Sequence, residues 1–551
     1  MRVPEYCGDR SPARPESTCW TAGVLSLMLA GCIQVGPDYA PPDAPLASEW
    51  QGSDDERVET NPPDDDAWWR TLDDPVLSAL VEMAPAQNPT VQIAGVRVLQ
   101  ARAQLGAAIG ELYPQQQQVT GDLRYEKLSD RDSSSALLQE VQQDVGNRAS
   151  LPSLRDHSFW ITEFGIGAAW ELDLWGKFRR SLESADADLL ASIASYDDAL
   201  VSLTAQLAAT YVNIRTFEER LRLARDNAQS QRDSLRLTEV RYRNGETSET
   251  DVEQARSEYA ETRSKIPQYQ TGIAQNQNAL SVLLGMPPAN LDDLLQPSTG
   301  IPGAPAEVAV GIPADLLRRR PDIRSAEQQA AAQSALIGVT KAQLYPAFSL
   351  SGSFGFASSD INGASLADAF KWSSRTASFG PAVSWNLFNY GQITNQVRAQ
   401  DASFQEAILS YQNTVLQAQQ EVEDALASFL GAQDSAALLA EAVAAGERSV
   451  ELALVQYREG ATDYTTVLSA QQNLLEQQDQ LAVTRGDVAQ GLISLYRALG
   501  GGWQTHQELD FVRDDIREAM AGRTDWGSLL EGTTPAAIEQ TTVPLVPAPE
   551  F

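Results

Sequence analysis

The amino-acid sequence predicts a mainly α chain of two structural repeats, each with a long helical hairpin and a strand pair suited to a membrane β-barrel. Three observations carry this reading. Identities recur at a fixed displacement over more than 100 residues. Each copy contains a Pro-free run of about 67 residues with heptad spacing. Each copy also contains segments in which large apolar residues alternate with small or polar ones.

The repeat comes first, because an internal period sets the architecture. Tyr113-Pro114 recurs as Tyr345-Pro346, 232 residues on, and the same displacement pairs Pro89 with Pro321, Ala94 with Ala326 and Gly106 with Gly338. Trp170–Gly176 recurs as Trp385–Gly391 at a displacement of 215. That value holds for Tyr196 and Tyr411, Tyr242-Arg243 and Tyr457-Arg458, Gly245 and Gly460, and Leu284-Gly285 and Leu499-Gly500. The first copy therefore carries an extra 17 residues between Pro114 and Trp170, in the polar stretch from Lys127 to Ser158. The expected organisation is a first repeat over 75–300 and a second over 301–503. An acidic, Pro-rich extended segment over 32–74 precedes them, and a polar tail over 504–551 follows.

Each repeat opens with an Ala/Gln-rich helix, about 88–112 and 321–343, ended by Tyr-Pro because Pro disfavours helix in the residue before it. Strands follow. Phe164, Ile166, Ala168, Trp170, Leu172 and Leu174 share one face, and Gly165, Gly167, Ala169, Glu171 and Asp173 share the other. Phe348, Leu350, Phe354 and Phe356 likewise oppose Ser349, Ser351, Ser353 and Gly355. Phe379, Val383, Trp385 and Leu387 oppose Gly380, Ala382, Ser384 and Asn386, and a weaker fourth segment runs from Val119 to Tyr125. Long helices are predicted over 177–243 and 392–458. Leu189, Ile193, Tyr196, Leu200, Leu203 and Leu207 step by alternating fours and threes, as do Phe404, Ile408, Tyr411, Val415, Ala418 and Val422. Gly245 and Gly460 suit left-handed caps. Ser248 with Asp251 reads as a capping box, and Asp463 as the matching cap of the other return helix.

Composition narrows the function. Lys plus Arg number 41 and Asp plus Glu 74, so the formal charge of −33 opposes nucleic-acid binding. Two His cannot build a His-rich metal site, and no cofactor or metal is expected. No Gly-rich phosphate loop or nucleophile elbow is found, so the chain is not expected to be an enzyme. No apolar run reaches the roughly 18–20 residues of a membrane-spanning helix. The stretch Thr21–Cys32 is apolar and ends Leu29-Ala30-Gly31-Cys32, which looks like a bacterial lipobox. Residues 1–31 would be the lipoprotein signal peptide and Cys32 the acylated (palmitate-bearing) first residue of the mature chain. The segment ahead carries three Arg and three acids instead of a net positive charge, so either the true start lies downstream or the leader is atypical. Ile33, with no Asp after the Cys, fits export to the outer membrane.

Four strands cannot close a membrane barrel, and open edges are not tolerated in lipid. If the strands span a membrane, several chains must share one barrel: two give eight strands, three give twelve and room for a channel. At this point the residues match a known family. The lipobox with Gly36-Pro37-Asp38-Tyr39, Trp68-Trp69, Asp74-Pro75 with Leu77 and Leu80, Trp170–Gly176, Arg319-Arg320-Pro321-Asp322-Ile323 and the paired Tyr-Arg-x-Gly motifs resemble the TolC-like outer-membrane efflux proteins. The likeness is to their lipoprotein branch, which includes OprM and NodT, and it covers about 33–503. It implies a homotrimer with a twelve-stranded barrel in the outer-membrane lipids, standing on a long periplasmic α-helical barrel. Such a trimer is a passive channel-tunnel fed by a periplasmic adaptor protein and an inner-membrane RND-type transporter.

The resemblance also implies a periplasmic gate at the hairpin tips, 241–251 and 456–469. Tyr242, Arg243, Asp251, Tyr457 and Arg458 occupy matching positions. Where relatives often carry acids in the second return helix this chain has Thr466 and Ser469, so Asp251 and Glu249 are the remaining acidic candidates. Trp68 and Trp69 are expected in packing. Trp170 and Trp385 suit either the core or an interface belt. Arg319-Arg320 is expected to be a solvated patch. The competing reading is a lipid-tethered, elongated periplasmic coiled-coil scaffold without a pore.

Overall fold

The computed structural model describes residues 34–61, 66–127, 158–296, 300–360, 365–507 and 509–535. In chain order the first half holds β1 (Val58–Glu59), α1 (Pro75–Gln87), α2 (Pro89–Gly110), β2 (Gln116–Lys127), β3 (Ser158–Leu172), α3 (Lys177–Arg243) and α4 (Glu249–Leu283). The second holds β4 (Val308–Ala309), α5 (Pro321–Ala342), β5 (Ala347–Ser359), β6 (Arg375–Ser384), α6 (Gln392–Arg458) and α7 (Tyr464–Leu499); α8 (Asp514–Ala521) lies in the tail. Two compact units result, and neither is a sequence repeat. One comprises residues up to Asp38, Ala108–Glu183 and Ser334–Asp401; the other comprises Tyr39–Ala107, Ser184–Gln333 and Ala402–Phe551.

The first unit is built on an antiparallel sheet of order β2-β3-β5-β6. Its register aligns Val119, Ile166, Phe354 and Ala377 across all four strands, so one face is mainly apolar, with Gln117, Lys127, Thr162, Ser358 and Arg375 toward its ends. Tyr125, Trp160, Phe164, Ile166, Phe379 and Val383 on that face are exposed. The other face carries Thr120, Asp122, Arg124, Glu163, Glu171, Ser349, Ser351, Ser353 and Ser378. At the base, the Trp170 indole donates to the Leu112 carbonyl at 3.2 Å and Trp385 to Leu344 at 3.0 Å, the same bond in each repeat. The ladders also refine the repeat: Gln116 and Ala347 open β2 and β5 opposite Ala169 and Ser384. Gln115 is thus one extra residue, and the displacement between those strands is 231 rather than 232.

The segment from Gln34 to Asp38 is bound to this unit. Gly36 is left-handed (φ 108°), and a Cβ there would come within 2.5 Å of the Gly338 Cα. Arg180, buried, pairs with Asp38 at 2.6 Å and Glu183 at 2.7 Å. The Gly36-Pro37-Asp38 motif therefore has a packing role.

The second unit holds most of the length of the helices. At 67 residues each, α3 and α6 are about 100 Å long at 1.5 Å per residue. All six heptad positions named in α3 are buried; in α6 Tyr411, Val415, Ala418 and Val422 are buried, but Phe404 and Ile408 are only half-buried. Trp68 and Trp69 are buried, with Trp68 stacked on Tyr496 at 5.5 Å. Asp74 caps α1 by accepting from the Val76 and Leu77 amides, and also accepts the Tyr211 hydroxyl at 2.7 Å. Arg320 corrects the expected solvated patch. It is 7% exposed, pairs with Asp322 at 2.7 Å and Glu421 at 2.8 Å, and donates to the Ala498 carbonyl. The tail also packs. Phe511 lies edge-on to Tyr196 at 4.9 Å, and its carbonyl would clash with any Cβ at Gly95.

Candidate functional site

The two tight turns at the ends of α3 and α6 are closed by left-handed Gly245 (φ 75°) and Gly460 (φ 70°). Ser248 and Asp251 form the expected capping box at the start of α4. Asp251 accepts from the Ser248 amide at 3.1 Å and from the Thr247 hydroxyl. Burial raises its pKa, but these donors outweigh it and hold the carboxyl below its usual value. Asp463 does not repeat this. Its side chain makes no cap bond, and the turn is held instead by its carbonyl accepting from the Thr466 amide at 3.2 Å.

The named tip residues separate into three groups. Tyr457 is 3% exposed and packs with Ala255, Ala453, Tyr464 and Val467; its ring lies 5.5 Å from that of Tyr464. Asp251 serves the cap. Tyr242, Arg243, Arg458 and Ser469 are exposed, and Arg243 bonds only back to the Glu239 carbonyl, at 3.3 Å, among the described residues. They do not converge within one chain. Arg241, which the motif comparison passed over, adds a polar tie between the two hairpins to the apolar cluster around Tyr457. Its guanidinium donates to the Tyr457 carbonyl, lies 4.6 Å from the Tyr457 ring centroid, and pairs with Glu246 at 3.5 Å.

A second cross-hairpin lock lies further along the helices. Arg220 of α3 holds Asp479 of α7 through two bonds, 2.8 and 2.9 Å, and Tyr269 of α4 donates to the same carboxylate at 2.9 Å. The guanidinium also covers the Tyr269 ring at 4.5 Å. Burial pushes the Asp479 carboxyl up, yet Arg220 and the Tyr269 hydroxyl hold it below the ordinary 3.8. Between lock and tip, buried Glu258 accepts from Gln231 at 3.2 Å and Gln472 at 2.7 Å. Heptad reading finds apolar positions only, so these polar ties carried no signal in the sequence. Cys32 lies outside the described residues. Among the described residues no helix is long and apolar enough to cross a membrane, and no cluster of three metal-ligating side chains occurs.

Comparison with known proteins places this geometry. The family described as "Outer membrane efflux protein" matches residues 80–286 and 312–501. "Nodulation protein T" of Rhizobium leguminosarum bv. viciae is 30% identical over 490 residues, covering 88% of this chain and 93% of the relative. "Solvent efflux pump outer membrane protein SrpC" of Pseudomonas putida is 32% identical over 498 residues, covering 87% and 97%. Among solved structures, one described as "Structural insights of the outer-membrane channel OprN" superposes with a TM-score of 0.76 at 31% identity, covering 85% of this chain and 99% of that one. The family description, the efflux-pump outer-membrane protein and the outer-membrane channel support the channel reading over the poreless scaffold. Family members form homotrimers that work with periplasmic adaptors and inner-membrane RND pumps. The chain belongs to the outer membrane efflux protein family: it is an outer-membrane channel that extends into the periplasm.

Proposed function

We propose that the turns joining α3 to α4 and α6 to α7 are the gate of this efflux channel, and that the Arg241–Tyr457 contact holds each chain's two hairpins together when it is closed. The observation that carries this is the burial of Tyr457 under a cation from the other hairpin, while Tyr242, Arg243, Arg458 and Ser469 stay exposed. A cation stacked on a ring and bonded to a carbonyl is lost when the hairpins part, so it resists opening. The domain roles follow: 1–31 is a signal peptide, 32–74 an acylated extended segment, 75–300 and 301–503 the repeats, and 504–551 a periplasmic tail. Cys32 carries the lipid.

In this reading the apolar face of the sheet meets lipid and its serine- and carboxylate-bearing face lines the lumen. Substrate leaves by this route, and the pump supplies the energy and most of the selectivity. Cysteine labelling of intact cells tests the arrangement. A cysteine at Ser373, in the β5–β6 connection, is expected to react with an impermeant reagent from outside. One at Ser469 is expected to react only after the outer membrane is opened. Protection of both until permeabilisation is the result that the poreless scaffold requires.

A further inference from the structure

Contacts that the first repeat makes on the second have second-repeat counterparts left bare. Trp175 donates its indole N–H to the Pro346 carbonyl at 2.8 Å and stacks on Tyr345 with centroids 4.8 Å apart. Displaced by 215 residues, Trp175 becomes Tyr390, which is 99% exposed. Displaced back by 232, Tyr345 becomes Tyr113. Tyr390 also has φ 49°, a left-handed backbone that a bulky residue rarely adopts. The helical unit repeats the pattern independently. Ser195 of α3 lies 3.0 Å from Ser325 of α5, and Ala194 and Val201 are buried. Their α6 counterparts Leu409 and Leu416 are exposed, and so is Ile93 of α2, the counterpart of Ser325.

We propose that a second copy of this chain completes both surfaces by quasi-equivalent contacts, in one fixed register. Tyr390 stacks on Tyr113 of the partner subunit. Leu409 and Leu416 are covered by the α2 helix that carries Ile93 of the partner subunit. The two unpaired sheet edges, β6 and the partner's β2, join antiparallel. The register follows from the ladder inside the chain, where paired residues of β3 and β5 always have numbers summing to 520, as in Ile166 with Phe354. Carrying the 215-residue displacement of β3 and the 231-residue displacement of β5 into that ladder turns the constant into 504. Phe379 then faces Tyr125 of the partner subunit, and Val383 faces Gly121 of the partner subunit. An even constant continues the apolar face of β6, with Phe379 and Val383, into that of β2, with Leu123 and Tyr125, which one residue of slip would reverse. The inference rests on the trimeric reading and adds its docking register.

Paired cysteines test it, because directly opposed residues of antiparallel strands stand within disulfide reach. Ser378→Cys with Glu126→Cys satisfies the sum of 504; Ser378→Cys with Arg124→Cys represents a two-residue slip. Oxidation of the trimer purified from the outer membrane is expected to link three chains covalently in the first variant, and to give several-fold less linkage in the second. A trimer that links better through the second pair, or through neither, overturns the register. A protein that is not trimeric before oxidation overturns the trimer itself. As a fold-independent check, Tyr390→Ala and Tyr113→Ala are each expected to lower the temperature at which the SDS-resistant trimer dissociates, and the double variant to lower it no further than either alone. Additive losses would remove the Tyr390 contact.

Discussion

Replacement of Arg241 by Ala removes the polar tie from α3 to α6 at the tip while leaving the apolar cluster around Tyr457 in place. Three interactions disappear together. A hydrogen bond from a charged donor to the Tyr457 carbonyl contributes about 1.5–3 kcal/mol. The stacking over the Tyr457 ring, at 4.6 Å, contributes about 0.5–2 kcal/mol. The ion pair with Glu246 is 3.5 Å long and its acid is half exposed, so it adds close to nothing. Because one guanidinium makes both remaining contacts, they do not add fully, and about 2–4 kcal/mol per subunit is a fair total. With about 1.4 kcal/mol per factor of ten, the parted population of one subunit's hairpin pair rises roughly 30- to 700-fold, and the open probability of the channel rises with it. Arg241→Lys keeps the charge but loses the planar fork, and is expected to fall between. Single-channel recording in a planar bilayer reads the open probability directly. Thermal dissociation of the trimer in the same preparation shows whether assembly is intact. An intact Arg241→Ala trimer with the wild-type open probability would refute the reasoning.

Tyr457 separates ring from hydroxyl. The buried hydroxyl finds no hydrogen-bond partner among the described residues, so Tyr457→Phe is expected to leave conductance unchanged while Tyr457→Ala raises it; equal effects would contradict a role for the ring. Arg458 is exposed, so any ion pair that it makes at a closed tip reaches another copy, and Arg458→Glu is expected to raise conductance; no change removes that salt bridge. The Arg220–Asp479 lock has a defined pH sense. A carboxyl whose pKa is lowered in the folded state stabilises above its ordinary value and loses that contribution as pH falls through the folded one. The lock is therefore expected to hold at neutral pH and to fail only below about 3.8, whereas Asp479→Asn abolishes it at every pH; hydrogen exchange of α7 near Asp479 distinguishes the two. Cys32→Ser is expected to abolish acylation, and a lipid mass retained on that variant would contradict the lipobox assignment.

The long helices were legible to the residue. No Pro lies inside 177–243 or 392–458, and Gly245 and Gly460 adopt the left-handed conformation that ends a helix. Strand β2 was weaker in the sequence because Gly121 interrupts its apolar face between Val119 and Leu123, and only pairing with Ile166 and Thr162 settles its register. Arg320 was misread because adjacent arginines look solvated; its burial depends on Glu421, 101 residues away. Arg241 was missed for the same reason, since its partner Tyr457 is 216 residues distant and contributes a carbonyl, which has no sequence signature. Asp463 shows that a cap residue at the right position need not cap. The half-buried Phe404 and Ile408 mark where heptad spacing anticipates burial that a single chain does not supply.

One measurement bears on the central claim, that a single chain carries one third of a closed channel. Native mass spectrometry of the protein extracted from outer membranes in detergent counts the copies. Among the described residues the sheet has four strands with β2 and β6 at its edges, and family members form homotrimers, so three chains are expected in one particle. A stable monomer or a dimer as the extracted species would contradict the account.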